Sequence, residues 1–274
     1  MKYVHRVDGR VQLRDIDSSQ DGGMIEDDAR KETSRLGKEL EELQELLFAA
    51  GMHSLLVVLQ GRDTAGKDGT IRGLSRYLNI QGVKVKGFKV PTPEEIGHDF
   101  LWRVHPHAPQ KGMVSIFNRS HYEDVLVVRV HNLAPEGVWK KRYDQINEFE
   151  QLLVENGTIL VKLCLHISKD EQKERLLERE QDATKSWKLS VGDWKEREFW
   201  DDYTDAYDVA LSKCSPSHAP WYVVPADRKW YRDLAITHAL VESLRPFKDA
   251  WLKKLDGMGK VALTELQEFR AGRG

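Results

Sequence analysis

Residues 54–71, SLLVVLQGRDTAGKDGTI, are the stretch that decides the fold. The apolar start predicts a strand, the middle matches the G-x-x-x-x-G-K pattern at Gly61, Gly66 and Lys67, and a helix-compatible segment runs from Thr70 to Tyr77. A strand, a glycine-rich loop and a helix in this order are typical of a phosphate-binding loop, because the loop N–H groups and the helix N-terminus attract anions. The pattern therefore predicts that the chain binds a polyphosphate of some kind.

The predicted phosphate loop contains two unusual acids. Asp68 takes the position of the Ser or Thr that usually holds magnesium through its hydroxyl, and Asp63 lies inside the loop. Phosphates repel a neighbouring carboxylate unless a cation lies between them, so Asp63 either points away or holds a metal ion, expected to be Mg²⁺. The simpler alternative is a glycine-rich turn with a solvent-facing Asp63. The residues expected to bind phosphate here are Gly61, Arg62, Thr64, Ala65, Gly66, Lys67 and Asp68.

Composition limits the possible classes of protein. The 274 residues are 40% apolar, which is enough for a real core, and their net charge of −2 argues against a general nucleic-acid binder. Two cysteines do not make a disulfide framework, and Cys164 lies in an apolar run that predicts a core position. Since we find neither a stretch of about 20 apolar residues nor a signal-peptide pattern, we expect a cytoplasmic protein without a membrane partner.

Strand-like and helix-like segments alternate along the chain, which predicts a three-layer α/β/α fold with a parallel sheet. An extended arm over residues 1–30 and a leucine-lined helix over 28–50 precede this alternation. We expect a homo-oligomer, a dimer or a tetramer, and the leucines at 36–47 pack either on a partner subunit or on their own sheet. We expect a single domain over residues 1–274. The predicted strands are 54–60, 83–88, 113–117, 158–165 and 221–224, and Lys162 in the fourth of them must reach a sheet edge or a partner.

Residues 175–203, RLLEREQDATKSWKLSVGDWKEREFWDDY, interrupt the alternation with dense charge and three tryptophans. We interpret this lid segment as a mobile helical lid, because such lids close over phosphates and bring in arginines. Arg175 and Arg179 lie one helical turn apart on one face, which makes both candidates for a catalytic role. The alternative is a solvated amphipathic helix pair whose tryptophans only pack.

The third predicted strand ends in the sequence FNRSHYED, at the edge of the sheet where ligands bind in open α/β folds. Asn118 occupies the place where an acidic metal ligand is common, and Arg119 is expected near the phosphate loop. Glu123 and Asp124 begin the next helix, where they either hold magnesium through water or stabilise the helix N-terminus.

Two further groups are candidates for substrate contacts. Asp99 and Arg103 share a helical face at i, i+4, so they form either a surface pair or part of an acceptor site. A basic cluster of Arg228, Lys229 and Arg232 follows the last strand, where cations favour a second phosphate chain over an adenine base. The alternative for this cluster is a helix start with ordinary surface charges.

The chain resembles the family-2 polyphosphate kinases in four ordered motifs, GRDTAGKDGTI, FNRSHYEDVLVVRV, WKLSVGDWKEREFWDDY and APWYVVPADRKWYRD. The resemblance covers about residues 54–240, and the opening YVHRVDGRVQLRDID also resembles that family's N-terminal arm. It implies a thymidylate-kinase-like P-loop fold with a lid. It also implies Mg²⁺-dependent phosphoryl transfer between inorganic polyphosphate and AMP, ADP or ATP, and the NRSHYEDVL wording resembles the subgroup that phosphorylates both AMP and ADP.

Site residues follow from the resemblance position by position. Asp63 and Lys67 fall on the essential loop positions of the family, Asn118 and Arg119 on its second motif, and Arg179 or Arg175 on its lid arginine. Many members carry Asp where this chain has Asn118, which weakens the comparison at that position. Two other functions stay open: an ATP-dependent nucleotide kinase on the same scaffold, and a non-catalytic phosphate-binding protein.

Overall fold

A six-stranded sheet forms the centre of the computed structural model, which describes residues 1–272 apart from the side chains of residues 185, 186 and 188. The strands lie in the order β1-β6-β5-β2-β4-β3. Five of them are parallel, and the short β1 pairs antiparallel with β6 at one edge. The strand bounds are β1 His5–Arg6, β2 Ser54–Gly61, β3 Val83–Gly87, β4 Val114–Asn118, β5 Thr158–His166 and β6 Trp221–Pro225.

Helices cover both faces of the sheet. Alternate β2 residues point to opposite sides, so Val57 joins a core with α1 and α9, whereas Val58 joins a second core with α5 and α8. Within residues 1–272, none of the helices has both the length and the apolar content that crossing a membrane requires. The helix bounds are α1 Glu26–Ala50, α2 Lys67–Leu74, α3 Pro93–Ile96, α4 Val127–Val130, α5 Glu136–Glu155, α6 Lys169–Gln181, α7 Val191–Glu196, α8 Trp200–Lys213, α9 Lys229–Leu244 and α10 Lys248–Arg270.

The predicted strands are confirmed, each end lying within one residue of its expected position. The five predicted strands are parallel as expected, and a sixth strand was not predicted: part of the extended arm pairs antiparallel with β6 as β1. The arm lacks the alternating apolar pattern by which a strand is recognised, so composition gave no signal for this pairing. The single domain over residues 1–274 stays a prediction, and its residues 273 and 274 lie outside the described part of the chain.

The leucine-lined helix packs inside its own subunit. Leu36, Leu40, Leu43 and Leu47 of α1 are fully buried in the core shared with α9 and the sheet. Of the two arrangements expected for these leucines, the structure therefore shows packing on their own sheet and not on a partner subunit.

Lys162 reaches a partner, as expected. Its Nζ donates to Glu150 Oε2 at 2.5 Å, to the Tyr122 hydroxyl at 3.0 Å and to the Cys214 carbonyl oxygen at 2.7 Å. Burial opposes a charge on Glu150, but Lys162 and His121 together hold the pKa of this carboxyl below its usual value. A buried lysine in a parallel strand is thus compensated by a full set of polar partners.

Candidate active site

The phosphate loop connects β2 to α2 and is built on two glycines in left-handed conformations. Gly61 has φ of 149° and Gly66 has φ of 104°. A Cβ at Gly61 would lie 2.7 Å from the Leu165 carbonyl oxygen, and one at Gly66 would lie 2.0 Å from Arg232 Nη1. The backbone angle favours glycine at both positions, and at Gly61 the fixed carbonyl oxygen of Leu165 also leaves no room for a side chain.

Two buried cations lie against this loop. Lys67 donates from Nζ to the carbonyl oxygens of Gly61 at 2.6 Å and Arg62 at 3.0 Å. Burial lowers its pKa from the usual value, and the charge of Arg119 acts in the same direction. Arg232 packs its guanidinium against Gly66 and donates to Asp233 through Nε at 2.9 Å and Nη2 at 2.6 Å. Lys67 and Arg232 therefore give the phosphate loop a positive electrostatic potential.

Arg119 joins two carboxylates beside the loop, as its position after β4 predicted. Its Nη2 lies 2.6 Å from Asp63 Oδ1 and its Nη1 lies 3.2 Å from Glu123 Oε2. Burial works against the charge of Arg119, but Glu123 and Asp63 outweigh it and raise the pKa of the guanidinium. The backbone of Arg119 has φ of 63°, which is uncommon for a residue with a side chain and directs Arg119 toward the loop.

A cavity of about 290 Å³ opens next to Arg119. The lid segment forms one wall with polar and aromatic side chains, and α4 contributes apolar surface. The lining residues are Gly61, Arg62, Asp63, Arg119, Glu123, Leu126, Val127, His131, Gln172, Gly192, Asp193, Glu196, Trp200, Tyr203 and Tyr207.

The lid segment is fixed over this cavity by ion pairs. Arg179 at the end of α6 lies 2.6 Å from Asp193 of α7. Glu196 accepts from the Tyr203 hydroxyl at 2.9 Å and lies 3.1 Å from His131 Nε2. Burial raises the pKa of Asp193, and the negative charge of Asp63 adds to this shift. These contacts bring a further carboxylate toward Asp63 and Arg119.

Arg175 and Arg62 have different surroundings from those expected. Arg175 is buried and donates to the carbonyl oxygens of Thr64, Ala226 and Asp227, so it supports the backbone of the loop, and these contacts favour Arg179 over Arg175 as the lid arginine. Arg62 stacks on Trp200 at 3.7 Å and donates to Thr204. Its side chain ties the loop to α8, which leaves its backbone for phosphate contact.

The helix predicted across Asp99 and Arg103 is wrong, because α3 ends at Ile96. Asp99 accepts the N–H groups of Leu101 at 3.0 Å and Trp102 at 3.1 Å, which closes a turn. Arg103 is buried against Phe88, and it pairs with Glu95 and the Lys89 carbonyl oxygen. Neither side chain is among those that line the cavity.

Asp124 also differs from its expected role. It pairs with Arg142 at 3.1 Å and is absent from the cavity lining, whereas its neighbour Glu123 lines the cavity. Burial raises the pKa of Asp124 to about 6 despite the charge of Arg142. The sequence could not separate these adjacent acids, because side-chain direction in the short turn at His121–Asp124 depends on the helix packed against it.

The remaining predicted residues lie at the margins of the loop. Asn118 donates to Asp68 at 2.8 Å, which links the end of β4 to the start of α2. Arg228 pairs with Asp21 of the N-terminal arm, and Lys229 lies 3.5 Å from Glu178. Of the basic cluster, Arg232 alone packs on the loop glycines.

Sequence reasoning missed several residues that line the cavity. Asp193, Glu196 and Trp200 belong to the lid segment, whose charge and tryptophan content had drawn attention only to its arginines. His131 lies at the end of α4 and Tyr203 lies in α8, and local sequence carries no signal that these elements meet.

The donor set at the cavity fits a magnesium ion that also contacts substrate. Mg²⁺ in phosphate-transfer sites is bound by one or two carboxylates plus substrate phosphates. Asp63 and Glu123 both face the cavity and are joined through Arg119. Within residues 1–272, no group of three His, Cys, Asp or Glu side chains is arranged to hold a metal without substrate.

The fold and the loop geometry agree with the sequence profile of a known family. The polyphosphate kinase 2 (PPK2) profile matches residues 24–250. The chain belongs to the PPK2 family. The predicted resemblance is therefore confirmed, and the protein is a kinase of this family.

Individual PPK2 proteins match over nearly the whole chain. A Meiothermus ruber relative named AMP/ADP-polyphosphate phosphotransferase is 50% identical over 247 residues, which cover 89% of this chain and 92% of that one. A Rhodopseudomonas palustris relative named ADP-polyphosphate phosphotransferase is 44% identical and 84% of each chain is covered. The crystal structure of polyphosphate kinase 2 from Arthrobacter aurescens TC1 has a TM-score of 0.87 at 43% identity, covering 90% of this chain and 92% of that chain. The predicted α/β P-loop kinase fold is confirmed.

Proposed function

We propose that this PPK2 protein transfers the terminal phosphoryl group of inorganic polyphosphate to AMP or ADP, reversibly and with Mg²⁺. The observation that carries the proposal is the convergence of Lys67, Arg119 and Arg232 on one glycine loop. Three cations at one loop suit a ligand made only of phosphate groups. The names of the Meiothermus and Rhodopseudomonas relatives support the same donor and acceptors.

The nucleotide is proposed to occupy the cavity beside Arg119. Leu126, Val127 and Tyr207 offer apolar and aromatic surface to a base, and Arg119 offers charge to its phosphates. This position replaces a nucleotide site near Asp99 and Arg103, since neither residue lines the cavity. Asn118 is proposed to hold the end of β4 against the start of α2 beside the nucleotide, through its hydrogen bond to Asp68.

Asp63 and Glu123 are the proposed magnesium ligands. A bound Mg²⁺ would neutralise part of the charge on the phosphate groups that meet at the loop. Arg119 lies between the two carboxylates and keeps both turned toward the cavity. Because Asp124 pairs with Arg142 outside the cavity lining, it has no place in this ligand set.

The chemical step needs positioning and charge cancellation more than proton transfer. A terminal oxygen of the nucleotide phosphate attacks the terminal phosphorus of the polyphosphate chain, the bond to the bridging oxygen breaks, and the shortened chain leaves with that oxygen. The attacking oxygen is already deprotonated near neutral pH, so no general base is required. Lys67 and Arg119 hold the reacting phosphates, and Arg179 is the proposed lid arginine that contacts the transferring group.

The direct test is incubation of the purified protein with MgCl₂, long-chain polyphosphate and AMP, with ADP and ATP measured over time. We expect ADP first and ATP later, and ADP as acceptor should yield ATP directly. A parallel reaction with ATP as the donor to AMP and no polyphosphate identifies an ordinary nucleotide kinase. Faster transfer from ATP than from polyphosphate, or no transfer from either donor, would contradict the proposal.

A further inference from the structure

Gln60 is a buried polar residue near the end of β2, directly before Gly61 of the phosphate loop. Residues 55–59 of the same strand are all apolar and buried. The Gln60 Nε2 donates to Ser120 Oγ at 3.0 Å, whereas its buried Oε1 has no hydrogen-bond partner in the described part of the chain. An unpaired buried acceptor costs free energy, so the stability of β2 alone does not explain an amide at this position.

Ser120, which accepts this hydrogen bond, connects two groups of the candidate active site. It is fully buried and directly follows Arg119. Its Oγ also accepts the N–H of Tyr122 at 3.2 Å, and its carbonyl oxygen accepts the N–H of Glu123 at 3.1 Å. Ser120 is thus the N-terminal cap of the short turn His121–Asp124. A shift of Ser120 would therefore move both Arg119 and the turn that carries Glu123.

The backbone of Arg119 needs support from its surroundings. Its φ of 63° lies in the left-handed region, and such a conformation persists where neighbouring structure holds it. The N–H of Arg119 donates to the Leu59 carbonyl oxygen at 3.0 Å, and the next residue, Ser120, is held by Gln60. Two consecutive residues of β2 thus hold two consecutive residues after β4. Because Gly61 follows Gln60 directly, these contacts also fix Arg119 relative to the phosphate loop.

We propose that Gln60 and Ser120 are positioning residues for phosphoryl transfer, because their hydrogen bond fixes Arg119 and the Glu123 turn against the start of the phosphate loop. This role rests on the proposed function, in which Arg119 holds the reacting phosphates and Glu123 binds magnesium. Neither Gln60 nor Ser120 lines the cavity, so both act through these neighbours and not by touching substrate. A displacement of about 1 Å at a reacting group can lower the rate by about 10²-fold.

A second buried polar pair on the same strand provides a matched control. Ser54, at the other end of β2, donates from Oγ to Thr158 Oγ1 of β5 at 3.1 Å. Both side chains are buried, as those of Gln60 and Ser120 are. At about 3.3 Å per residue, Ser54 lies about 20 Å along the strand from Gln60. Loss of either pair removes one buried hydrogen bond between β2 and its surroundings, but only one of the pairs lies beside the phosphate loop.

The first test compares Gln60→Met, Ser120→Ala and Ser54→Ala in transfer from long-chain polyphosphate to AMP with MgCl₂. The first two variants should lower kcat by about 10–100-fold, whereas Ser54→Ala should keep the parent value. Ser120→Ala should also raise the magnesium concentration for half-maximal rate, because the Glu123 turn loses its cap. Melting temperatures should fall by similar amounts in all three, since each loses one buried hydrogen bond. Parent kcat in Gln60→Met, or equal rate losses in Ser120→Ala and Ser54→Ala, would overturn the proposal.

A double variant tests whether the two side chains act as a pair. Gln60→Met combined with Ser120→Ala should have the same kcat as Ser120→Ala alone, because each single substitution already removes the hydrogen bond between them. Two independent residues would instead give a double variant in which the two rate losses multiply. Multiplied losses would therefore contradict the proposal.

Amide hydrogen exchange measures the positioning without any turnover. Gln60→Met and Ser120→Ala should speed exchange several-fold in peptides that cover residues 119–124, because Ser120 holds the N–H groups of this turn. Ser54→Ala should leave exchange there at the parent rate. A parent that transfers no phosphoryl group would refute the proposed function, whereas unchanged exchange in both Gln60→Met and Ser120→Ala would refute the positioning itself.

Discussion

Lys67 is a residue whose position is set by its own loop. In the structure its ammonium group is held by two carbonyl oxygens, and burial lowers its pKa. An anionic ligand offers this cation a stronger partner than neutral carbonyls do. The lysine is thus already aimed at the loop before substrate arrives, which reduces the reorganisation that binding requires.

The first prediction concerns this lysine. Lys67→Ala should lower kcat by about 10²–10³-fold or more, because a positioned charge on the transferring group is lost. The melting temperature should change little, since the hydrogen bonds of the Lys67 ammonium go to carbonyl oxygens of its own loop. Lys111→Ala, at an exposed position, is the control and should keep parent activity. Substantial turnover by the Lys67 variant would refute its assigned role.

The second prediction distinguishes Asp63, a proposed magnesium ligand, from Asp124, which is not proposed to bind magnesium. Asp63→Asn should raise the magnesium concentration for half-maximal rate by about tenfold or more, because a proposed metal ligand loses its charge. Asp124→Asn should leave this concentration unchanged, since Asp124 pairs with Arg142 outside the cavity lining. The measurement is kcat/KM as a function of magnesium concentration for the parent and both variants. Identical titrations for Asp63→Asn and the parent would remove Asp63 from the ligand set.

The third prediction follows from the buried carboxyl of Asp124, whose pKa is raised from 3.8 to about 6. Between about pH 4 and pH 6 the folded state keeps a proton on Asp124 that the unfolded state releases, so the contribution of Asp124 to the free energy of unfolding falls as pH rises. Asp124→Asn lacks this titration. Its stability relative to the parent should therefore increase from pH 4 to pH 6, by up to about 3 kcal/mol, in urea unfolding experiments. The exposed control Asp202→Asn should show no such trend, and a flat difference for Asp124→Asn would contradict the prediction.

At the residue scale, the sequence located the loop and Arg119 but not the direction of several arginines. Arg62 points to Trp200, Arg175 to backbone carbonyls and Arg103 to Glu95. Each of these partners is distant in sequence or lies on another element. A guanidinium group near a phosphate loop is equally suited to binding ligand and to supporting backbone, and only the tertiary neighbours distinguish the two.

At the element scale, the loop glycines connect chemistry to packing. Gly66 directly precedes α2 and has the Arg232 guanidinium of α9 against it, so one position allows both the left-handed turn and the approach of a cation. The strand, loop and helix were predictable because their pattern is local. The association of the lid segment with α4 was not, because it depends on contacts such as His131 with Glu196.

The fourth prediction tests the link between the loop and α9. Gly66→Ala should lower kcat/KM by about 10²-fold or more, because the added methyl group displaces Arg232 and the backbone angle is unfavourable for alanine. Gly73→Ala in the same α2 helix meets open space and is the matched control. Steady-state kinetics with polyphosphate as the varied substrate measure the effect. Equal kinetics for the two variants would argue against this packing.

At the scale of the whole molecule, a buried polar network connects two elements on one side of the sheet. Lys162 of β5 and Glu150 of α5 are fully buried and pair at 2.5 Å, and His121 joins them at 3.1 Å. His121 is two residues from Arg119, so the network also anchors the chain that carries this arginine. The sequence showed that Lys162 needed a partner, but its identity required the packing of α5 on the sheet.

The fifth prediction is the stability cost of breaking this network. Lys162→Met should lower the free energy of unfolding by about 3–5 kcal/mol, because it leaves the Glu150 carboxylate buried without its cation. Lys169→Met, at an exposed position at the start of α6, should change it by less than about 0.5 kcal/mol. Chemical denaturation near pH 7 measures both. A loss below about 1 kcal/mol for Lys162→Met would show that the pair contributes little.

The pairing of β1 with β6 has a consequence for how the chain is made. His5 lies opposite Val223, so β1 cannot pair until β6, the last strand of the sheet in chain order, has been synthesised. A nascent chain that stops before Trp221 lacks β6, so its β1 has no strand with which to pair. Completion of the sheet therefore requires β6, and products truncated before Trp221 should be cleaved by proteases within the unpaired arm that contains β1.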